Sequence, residues 1–379
     1  MITADDLAAF RDLVARAKLY VLVTHVNPDG DAIGSQVGLG RYLLSLGYEV
    51  RIVNQDVTPP DLRFLEFDGP SGEGYDPARH DGLLDAADAI VLVDNSAPDR
   101  LGRMEAPVRL RAAKTFCIDH HPTPATPWAV NVIDTSASAT AILVHELVRE
   151  GEWTPDRAAA DALYAGLATD TGFFRFNSTS PRAFRVAAEL LEAGADPTRC
   201  YRELYERNTP AYTRLLGRAL ANLSLSIDGA VASVGITLAM IEACGATGVD
   251  TSEFTTPLLA VDGVRVAILF RELPGQKVKV SLRSKGELDV QRMASEFGGG
   301  GHRNASGIVM PGGFDDVVAR VTARAEALAS GGRWRSASCT SHRSRNARAP
   351  PWSRSSSPKP PTSPRCGRRS RPGTRGCAR

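Results

Sequence analysis

The chain has 379 residues with 45 basic and 43 acidic side chains, and its formal charge of +2 hides an uneven division: residues 331–379 hold twelve Arg, one Lys and no acid, which leaves residues 1–330 at a net −11. The acidic, apolar-rich body is long enough for about two domains, whereas the Ser-, Pro- and Arg-rich tail lacks the aliphatic side chains a core requires. Nothing approaches the roughly 18 uncharged apolar residues of a membrane span, the acidic start MITADDLAAFRDL is unlike a secretory signal, and the body cysteines Cys117, Cys200 and Cys244 lie far apart without CxxC spacing, which argues against a disulfide framework or thiolate metal site and predicts a soluble, cytoplasmic protein.

In chain order, KLYVLVT (18–24) reads as a buried strand, followed by a helix from about Ala32 to Leu46 that Gly47 stops. YEVRIVN (48–54), DAIVLVD (88–94) and KTFCIDH (114–120) are further strands, and helical periodicity returns at 137–150, 155–168, 181–193 and 197–207. Strands alternating with helices predict an α/β fold with a mainly parallel sheet covered on both faces, over residues 1–194. Residues 195–222, interrupted at Thr209-Pro210, read as a helical connector. A smaller α/β domain is expected over 223–330, including the strands GVRVAILFRE and KVKVSLRS joined by LPGQ, whose Pro-Gly pair signals a β-turn. It closes with the helical pattern FDDVVARVTARAEALAS, after which the composition changes abruptly.

The acidic and histidine residues gather where the strands end. The first strand runs into THVNPDGDAIGS, with His25, Asp29 and Asp31; another ends in Asp94, followed by Asn95 and Ser96; a third ends in Asp119-His120-His121; and the helix-to-loop junction GLATDTGFF supplies Asp170. In an open parallel sheet, ligands bind at the carboxyl ends of the strands, so the three strand-end clusters should converge on one rim. Each has a plainer explanation: Asp31 reads equally as a helix N-cap, and Asn27-Pro28-Asp29-Gly30 as an ordinary turn. Capping explains neither the adjacent histidines nor the repeated placement at strand ends. A donor set of carboxylate and imidazole without thiolate suits Mn²⁺, Mg²⁺ or similar ions, and there are more donors than one ion needs. Two metals about 3.5–4 Å apart sharing a bridging carboxylate would accommodate them and would serve in-line displacement at phosphorus by hydroxide.

HVNPDGDAIGS, VDNS, IDHH and ATDTG, in this order, resemble the four signature motifs of the DHH phosphoesterase superfamily, and SLRS followed by GGGGHRNASG resembles its companion DHHA1 substrate-binding domain. The resemblance covers roughly residues 15–325 and is strongest to the bacterial nanoRNase and 3′-phosphoadenosine-5′-phosphate phosphatase subfamily. It implies a metal-dependent phosphoesterase with its active site in an interdomain cleft. By motif, His25, Asp29 and Asp94 would hold one divalent ion, Mn²⁺ by analogy; Asp31, Asp94, His120 and Asp170 would hold the other, with Asp94 as bridge. Asp119 would orient a histidine, and His121 would lie beside the scissile phosphate. The implied reaction is exonucleolytic cleavage of short oligoribonucleotides to mononucleotides, with removal of the 3′-phosphate of 3′-phosphoadenosine-5′-phosphate. Cyclic or linear dinucleotide hydrolysis is the neighbouring alternative, and a non-catalytic nucleotide sensor the alternative of another class. The resemblance also implies a homodimer.

In GGGGHRNASG (298–307) the glycines read either as a flexible turn or as a place where backbone N–H groups approach an anion with no Cβ between. From Val264 to Arg303 there are eight Lys or Arg against four acids, a basic island in an acidic body. Gly299, Gly300, Gly301 and His302, with Arg271 and Arg283 from the two strands, are therefore the candidate substrate-binding residues. One small basic pocket suits very short RNA or a nucleotide bisphosphate rather than long duplex, which needs many phosphate contacts. The tail beyond residue 330 reads as a disordered basic arm or as a GC-rich gene in a shifted frame. The second is preferred, since the resembling family ends near this point.

Overall fold

The computed structural model describes residues 1–331 apart from 67–71, 124–125 and 227. The basic tail, and with it the shifted-frame reading, lies outside the described residues. Contacts divide the chain into two units that part between Arg207 and Asn208.

The first unit contains α1 (Ala4–Arg16), β1 (Leu19–Val23), α2 (Gly30–Ser45), β2 (Glu49–Asn54), β3 (Gly72–Gly74), α3 (Pro77–Ala86), β4 (Ala89–Val93), α4 (Glu105–Arg109), β5 (Thr115–Asp119), β6 (Val130–Ile133), α5 (Thr140–Arg149), α6 (Arg157–Asp170), α7 (Pro181–Glu192) and α8 (Pro197–Tyr205). Its strands lie in the order β3-β2-β1-β4-β5-β6, every described pairing parallel. The predicted strands are all present; β3, the three residues Gly-Glu-Gly, and β6, the four residues Val-Asn-Val-Ile, are too short to have stood out. Successive residues of β1 and β4 point into opposite cores. Tyr20, Leu22, Val91 and Val93 join the cluster beneath α2, α5 and α6, while Val21, Val23, Ile90 and Leu92 pack against Leu84, Leu101, Met104 and Val108 on the other face. Burial on both faces is why these strands read as unbroken hydrophobic runs.

α2 and α6 pack closely because α2 presents glycines at a four-residue spacing, one above another on a single helix face. A Cβ at Gly34 would lie 2.3 Å from the Ala162 carbonyl oxygen, and one at Gly38 2.5 Å from the Leu163 side chain. α2 is consequently buried almost all round.

The second unit comprises α9 (Pro210–Ala221), β7 (Ser224–Leu225), β8 (Val231–Ile236), α10 (Leu238–Ala243), α11 (Thr256–Leu259), β9 (Val266–Leu273), β10 (Lys277–Ser284), α12 (Val290–Ser295), β11 (Gly300–His302), β12 (Ala305–Pro311) and α13 (Phe314–Ala329). Its mixed sheet runs β11-β12-β10-β9-β8-β7, parallel only between β8 and β9. The β9–β10 hairpin forms where Pro-Gly predicted it, with Gly275 and Gln276 in the left-handed region. The stretch 195–222 is shared out: Cys200 of α8 lies in the core of the first unit, and Leu215 and Ala219 of α9 in that of the second. Among the described residues no helix is long and apolar enough to cross a membrane.

Candidate metal centre

Because the first sheet is parallel, β1, β4 and β5 deliver residues 24–31, 94–96 and 119–121 from one edge, and the strand order reverses between β1 and β4, where such sheets open a crevice. A buried amide pair fixes the ends of β1, β2 and α2. Asn54 Oδ1 accepts from Thr24 N and Gln36 Nε2, both at 3.0 Å, and Thr24 Oγ1 donates to the Val93 carbonyl at 2.7 Å.

Beyond β1 the chain turns through Asn27 (φ 52°) and enters α2 two residues earlier than expected. Asp29, not Asp31, is the N-cap, its Oδ1 accepting from the N–H groups of Asp31 and Ala32 at 3.1 Å. Asp31 is thereby freed from the capping role that its place in the sequence suggested. Its buried carboxylate instead receives the first N–H groups of α5, from Thr140 at 2.6 Å and Ala141 at 2.9 Å, and the Ser35 hydroxyl at 3.2 Å. Asp94 directly follows β4 in the left-handed region (φ 59°), a conformation that costs a non-glycine residue about 1–3 kcal/mol and is retained where surrounding contacts enforce it. Here its N–H donates to the Ile118 carbonyl at 2.9 Å and Thr140 Oγ1 donates to its Oδ1 at 2.8 Å.

The imidazoles are held by their other nitrogens. His25 Nδ1 lies 2.8 Å from the Val26 carbonyl and His120 Nδ1 3.2 Å from the Ala137 carbonyl. A carbonyl only accepts, so Nδ1 carries a proton and each ring turns its Nε2 toward the carboxylates, as a lone pair whenever the ring is neutral. His25 Nε2 is 3.4 Å from Asp94 Oδ2 and 3.9 Å from Asp29 Oδ2. His120 Nε2 is 3.1 Å from Asp170 Oδ2, 3.6 Å from Asp94 Oδ1 and 3.9 Å from Asp31 Oδ2. Both Nε2 atoms are buried without a hydrogen bond, an arrangement of lone pair against carboxylate that a proton or a cation must resolve. His121 differs: its Nδ1 meets Asp119 Oδ1 at 2.8 Å and its ring is partly exposed.

The electrostatics agree with the geometry. Burial and the nearby Asp170 charge push Asp31 up to about 7, and burial with the Asp31 and Asp29 charges raises Asp94 well above the carboxylate range. Burial lowers His25. Burial would lower His120 too, but Asp170 and Asp31 outweigh it and hold the ring up to about 9. Burial opposes ionisation of Asp119 as well; its hydrogen bond from His121 prevails and keeps it low. Donor atoms from His25, Asp29 and Asp94, from Asp94, His120 and His121, and from Asp31, His120 and Asp170 each lie within 4.8 Å of one another. All are oxygen or imidazole nitrogen, a set that fits divalent cations of the Mn²⁺ and Mg²⁺ kind.

All eight sequence-selected residues of the first unit thus come together. Thr140 was missed: no metal-motif spacing marks it, and only a helix N-terminus aimed at Asp31 and Asp94 gives it a task. In the second unit, β10 pairs Lys279 with Arg271 of β9, and Arg283 with Ala267 of β9 and Ala305 of β12. Arg271 Nη1 donates to the Val249 carbonyl at 3.1 Å, and Arg283 Nη1 to the Leu282 carbonyl at 3.1 Å. Gly300, Gly301 and His302 form a strand paired with β12 rather than a flexible turn. A Cβ at Gly299 would meet the Gly307 carbonyl at 2.3 Å, and one at Gly301 the Ala305 carbonyl at 2.5 Å. The side chain of His302 lies outside the described residues.

Comparison with known proteins follows the same division. The model of the DHH family, N-terminal domain, matches residues 19–167, and that of the DHHA1 domain residues 236–331. A protein of Thermus thermophilus named bifunctional oligoribonuclease and PAP phosphatase NrnA is 36% identical over 303 residues, 79% of this chain and 87% of its own length. A protein of the same name from Bacillus subtilis is 32% identical over 302 residues, 78% and 91% of the two lengths. The crystal structure of an exopolyphosphatase-related protein from Bacteroides fragilis superposes with a TM-score of 0.77 at 28% identity, covering 87% of this chain and 97% of that one.

Proposed function

This chain belongs to the DHH family of phosphoesterases and carries the DHHA1 domain, and from that premise we propose that it hydrolyses short oligoribonucleotides to mononucleotides and 3′-phosphoadenosine-5′-phosphate to AMP. The relatives named for both activities support this reading, and the observation that carries it is the buried cluster of carboxylates around two imidazole nitrogens without hydrogen bonds.

Two divalent cations, Mn²⁺ in this reading, would be held by His25, Asp29 and Asp94 and by Asp31, Asp94, His120 and Asp170, with Asp94 shared. When bound, they supply the positive charge that offsets the phosphoryl oxygens during in-line displacement. The chain's own groups do the rest. Thr140 and the α5 N-terminus hold Asp94 and Asp31 in orientation through hydrogen bonds, and favour their charged forms against the burial that opposes them. Asp119 holds the Nδ1 side of His121 and so orients the ring, which would let its Nε2 serve as proton donor to the departing oxygen. Gly299, Gly300, Gly301, His302, Arg271 and Arg283 would anchor a terminal phosphate of the substrate.

The test is cation-dependent turnover of an RNA dinucleotide and of 3′-phosphoadenosine-5′-phosphate, with a cyclic dinucleotide and a thirty-residue RNA beside them. Loss of dinucleotide turnover on chelation and in Asp94→Ala is expected. Equal rates on two-residue and thirty-residue RNA would overturn the short-substrate reading. Metal-loaded protein that binds nucleotide without cleaving any substrate would make it a sensor.

A further inference from the structure

Immediately after Asp170, the chain does something costly. Gly172, Phe173 and Phe174 are consecutive residues in the left-handed region, with φ of 55°, 55° and 62°, and two of them are bulky side chains for which that conformation is strained. The surroundings enforce it. Phe173 is wedged edge-on against Tyr164, Tyr201 and Tyr205, and Phe174 stacks on Phe184 at 5.1 Å. The Thr171 carbonyl accepts from both Arg175 N and Phe176 N at 3.0 Å. The turn throws the next segment, 175–178, outward, and all four of its residues are exposed.

Both ends of that segment are tied to the metal centre. Its start follows Asp170 on a turn closed by Thr171. Its end is held by Ser138 Oγ, which donates to the Ser178 carbonyl at 2.5 Å. Ser138 sits between Ala137, whose carbonyl holds His120, and Thr140, which holds Asp31 and Asp94. The segment therefore lies on the rim of the cluster. On it, Phe176 is 48% exposed. Its Cζ, Cε1 and Cε2 atoms all come within 2.5–2.7 Å of where a Cβ of Gly172 would be, so the ring lies flat on the glycine and is fixed in place. The Arg175 guanidinium lies over the ring, 5.4 Å from its centroid.

We propose that Phe176, with Arg175, is the nucleobase platform of this site: a base of the bound nucleotide stacks on the ring, and the exposed guanidinium now lying over it swings aside to face the substrate's negative charge. The proposal deepens the nucleotidase reading above and rests on it. An exposed apolar ring beside a cluster of carboxylates suits a base better than a phosphate. Stacking tolerates any base, because each has a π-face, which is what an enzyme acting on short RNA of mixed sequence requires. Gly172 is needed because a side chain there would displace the ring.

Equilibrium binding separates this proposal from the cleavage reading. AMP and ribose 5-phosphate share the phosphate and sugar and differ by the base, so calorimetry on the metal-loaded protein measures the base directly. Wild type should bind AMP roughly tenfold more tightly than ribose 5-phosphate, within the range of one stacking contact. Phe176→Ala should erase that ratio by weakening AMP alone, and Phe176→Trp should keep it. For dinucleotide cleavage, Phe176→Ala should raise KM with kcat little changed. Equal affinities of wild type for the two ligands, or equal weakening of both by Phe176→Ala, would overturn the platform. Failure of wild type to cleave the dinucleotide while the AMP ratio stands would instead remove the cleavage reading and leave the base site in place.

Discussion

Replacing Gly34 by Ala tests whether the close approach of α2 and α6 sets the geometry of the centre. The added Cβ would stand 2.3 Å from the Ala162 carbonyl oxygen and 3.0 Å from the Gly166 nitrogen, both backbone atoms that no rotamer change can clear. The helices must part by about 1 Å, an overpacking cost of ~1–3 kcal/mol offset in part by the ~1 kcal/mol that Ala gains over Gly in a helix. A net loss of about 1–2 kcal/mol is expected, which for a unit of this size lowers Tm by about 2–8 °C. The effect on turnover should be larger than the effect on stability. Asp31 rides on α2 and Asp170 on α6, so the parting acts directly on their separation, and a displacement of about 1 Å costs about a hundredfold in rate. Gly217→Ala is the matched control: it lies within α9, at ordinary helical φ, with nothing within 4 Å of its Cβ position. It should raise stability by up to about 1 kcal/mol. Thermal unfolding and dinucleotide turnover of the two variants give the answer. Gly34→Ala with wild-type melting and turnover would refute the reasoning, as would an equal loss in Gly217→Ala.

Asp94→Ala should lower kcat by at least about 10²–10³-fold, on the scale of removing one charge-stabilising group, and should abolish tight cation binding measured by calorimetry. Thr140→Val removes the hydroxyl donor to Asp94 but keeps the backbone N–H to Asp31. A hydrogen bond to a charged group is worth about 1.5–3 kcal/mol, so turnover should fall roughly ten- to hundredfold, while Thr140→Ser should retain most of it. Without divalent cations, stability should fall as pH rises. Asp31, up to about 7, keeps a proton that the unfolded chain releases near pH 4, and its contribution is lost as pH rises to about 7. His120, up to about 9, does the same between about pH 6.5 and 9. His25, lowered by burial, acts oppositely and costs stability only below about pH 6.5. Melts of the chelated protein should therefore decline from pH 7 to 9, and cation should flatten the curve by taking the place of those protons. A chelated Tm that is level or rising over that interval would contradict the assignment.

The gathering of His25, Asp29, Asp31, Asp94, Asp119, His120 and His121 was legible in the sequence for a physical reason, whereas Asp170 ends a helix, α6, and was read from its helix-to-loop junction. β1, β4 and β5 are buried on both faces and read as unbroken apolar runs, so the residues that end them stand out, and a parallel sheet sends those ends to one edge. The strand alternation that makes the first unit α/β was legible on the same grounds. β3 and β6 were not, because an edge strand of only three or four residues is too short to leave a periodic trace.

Other features depend on distances between segments far apart in the chain, and these only the tertiary structure decided. Whether Asp29 or Asp31 caps α2 cannot be told from N-P-D-G-D; it is settled by the α5 N-terminus, more than a hundred residues away, which claims the Asp31 carboxylate. The glycines of α2 read as weak helix formers until α6 is laid against them. Gly300 and Gly301 read as part of a turn until β12 pairs with them. Phe176 reads as one more aromatic until the Ser138 bond fixes its loop at the rim. Composition and periodicity report what each residue prefers by itself. A shared carboxylate, a helix contact without Cβ atoms and a strained turn belong to pairs of segments, and folding brings those pairs together.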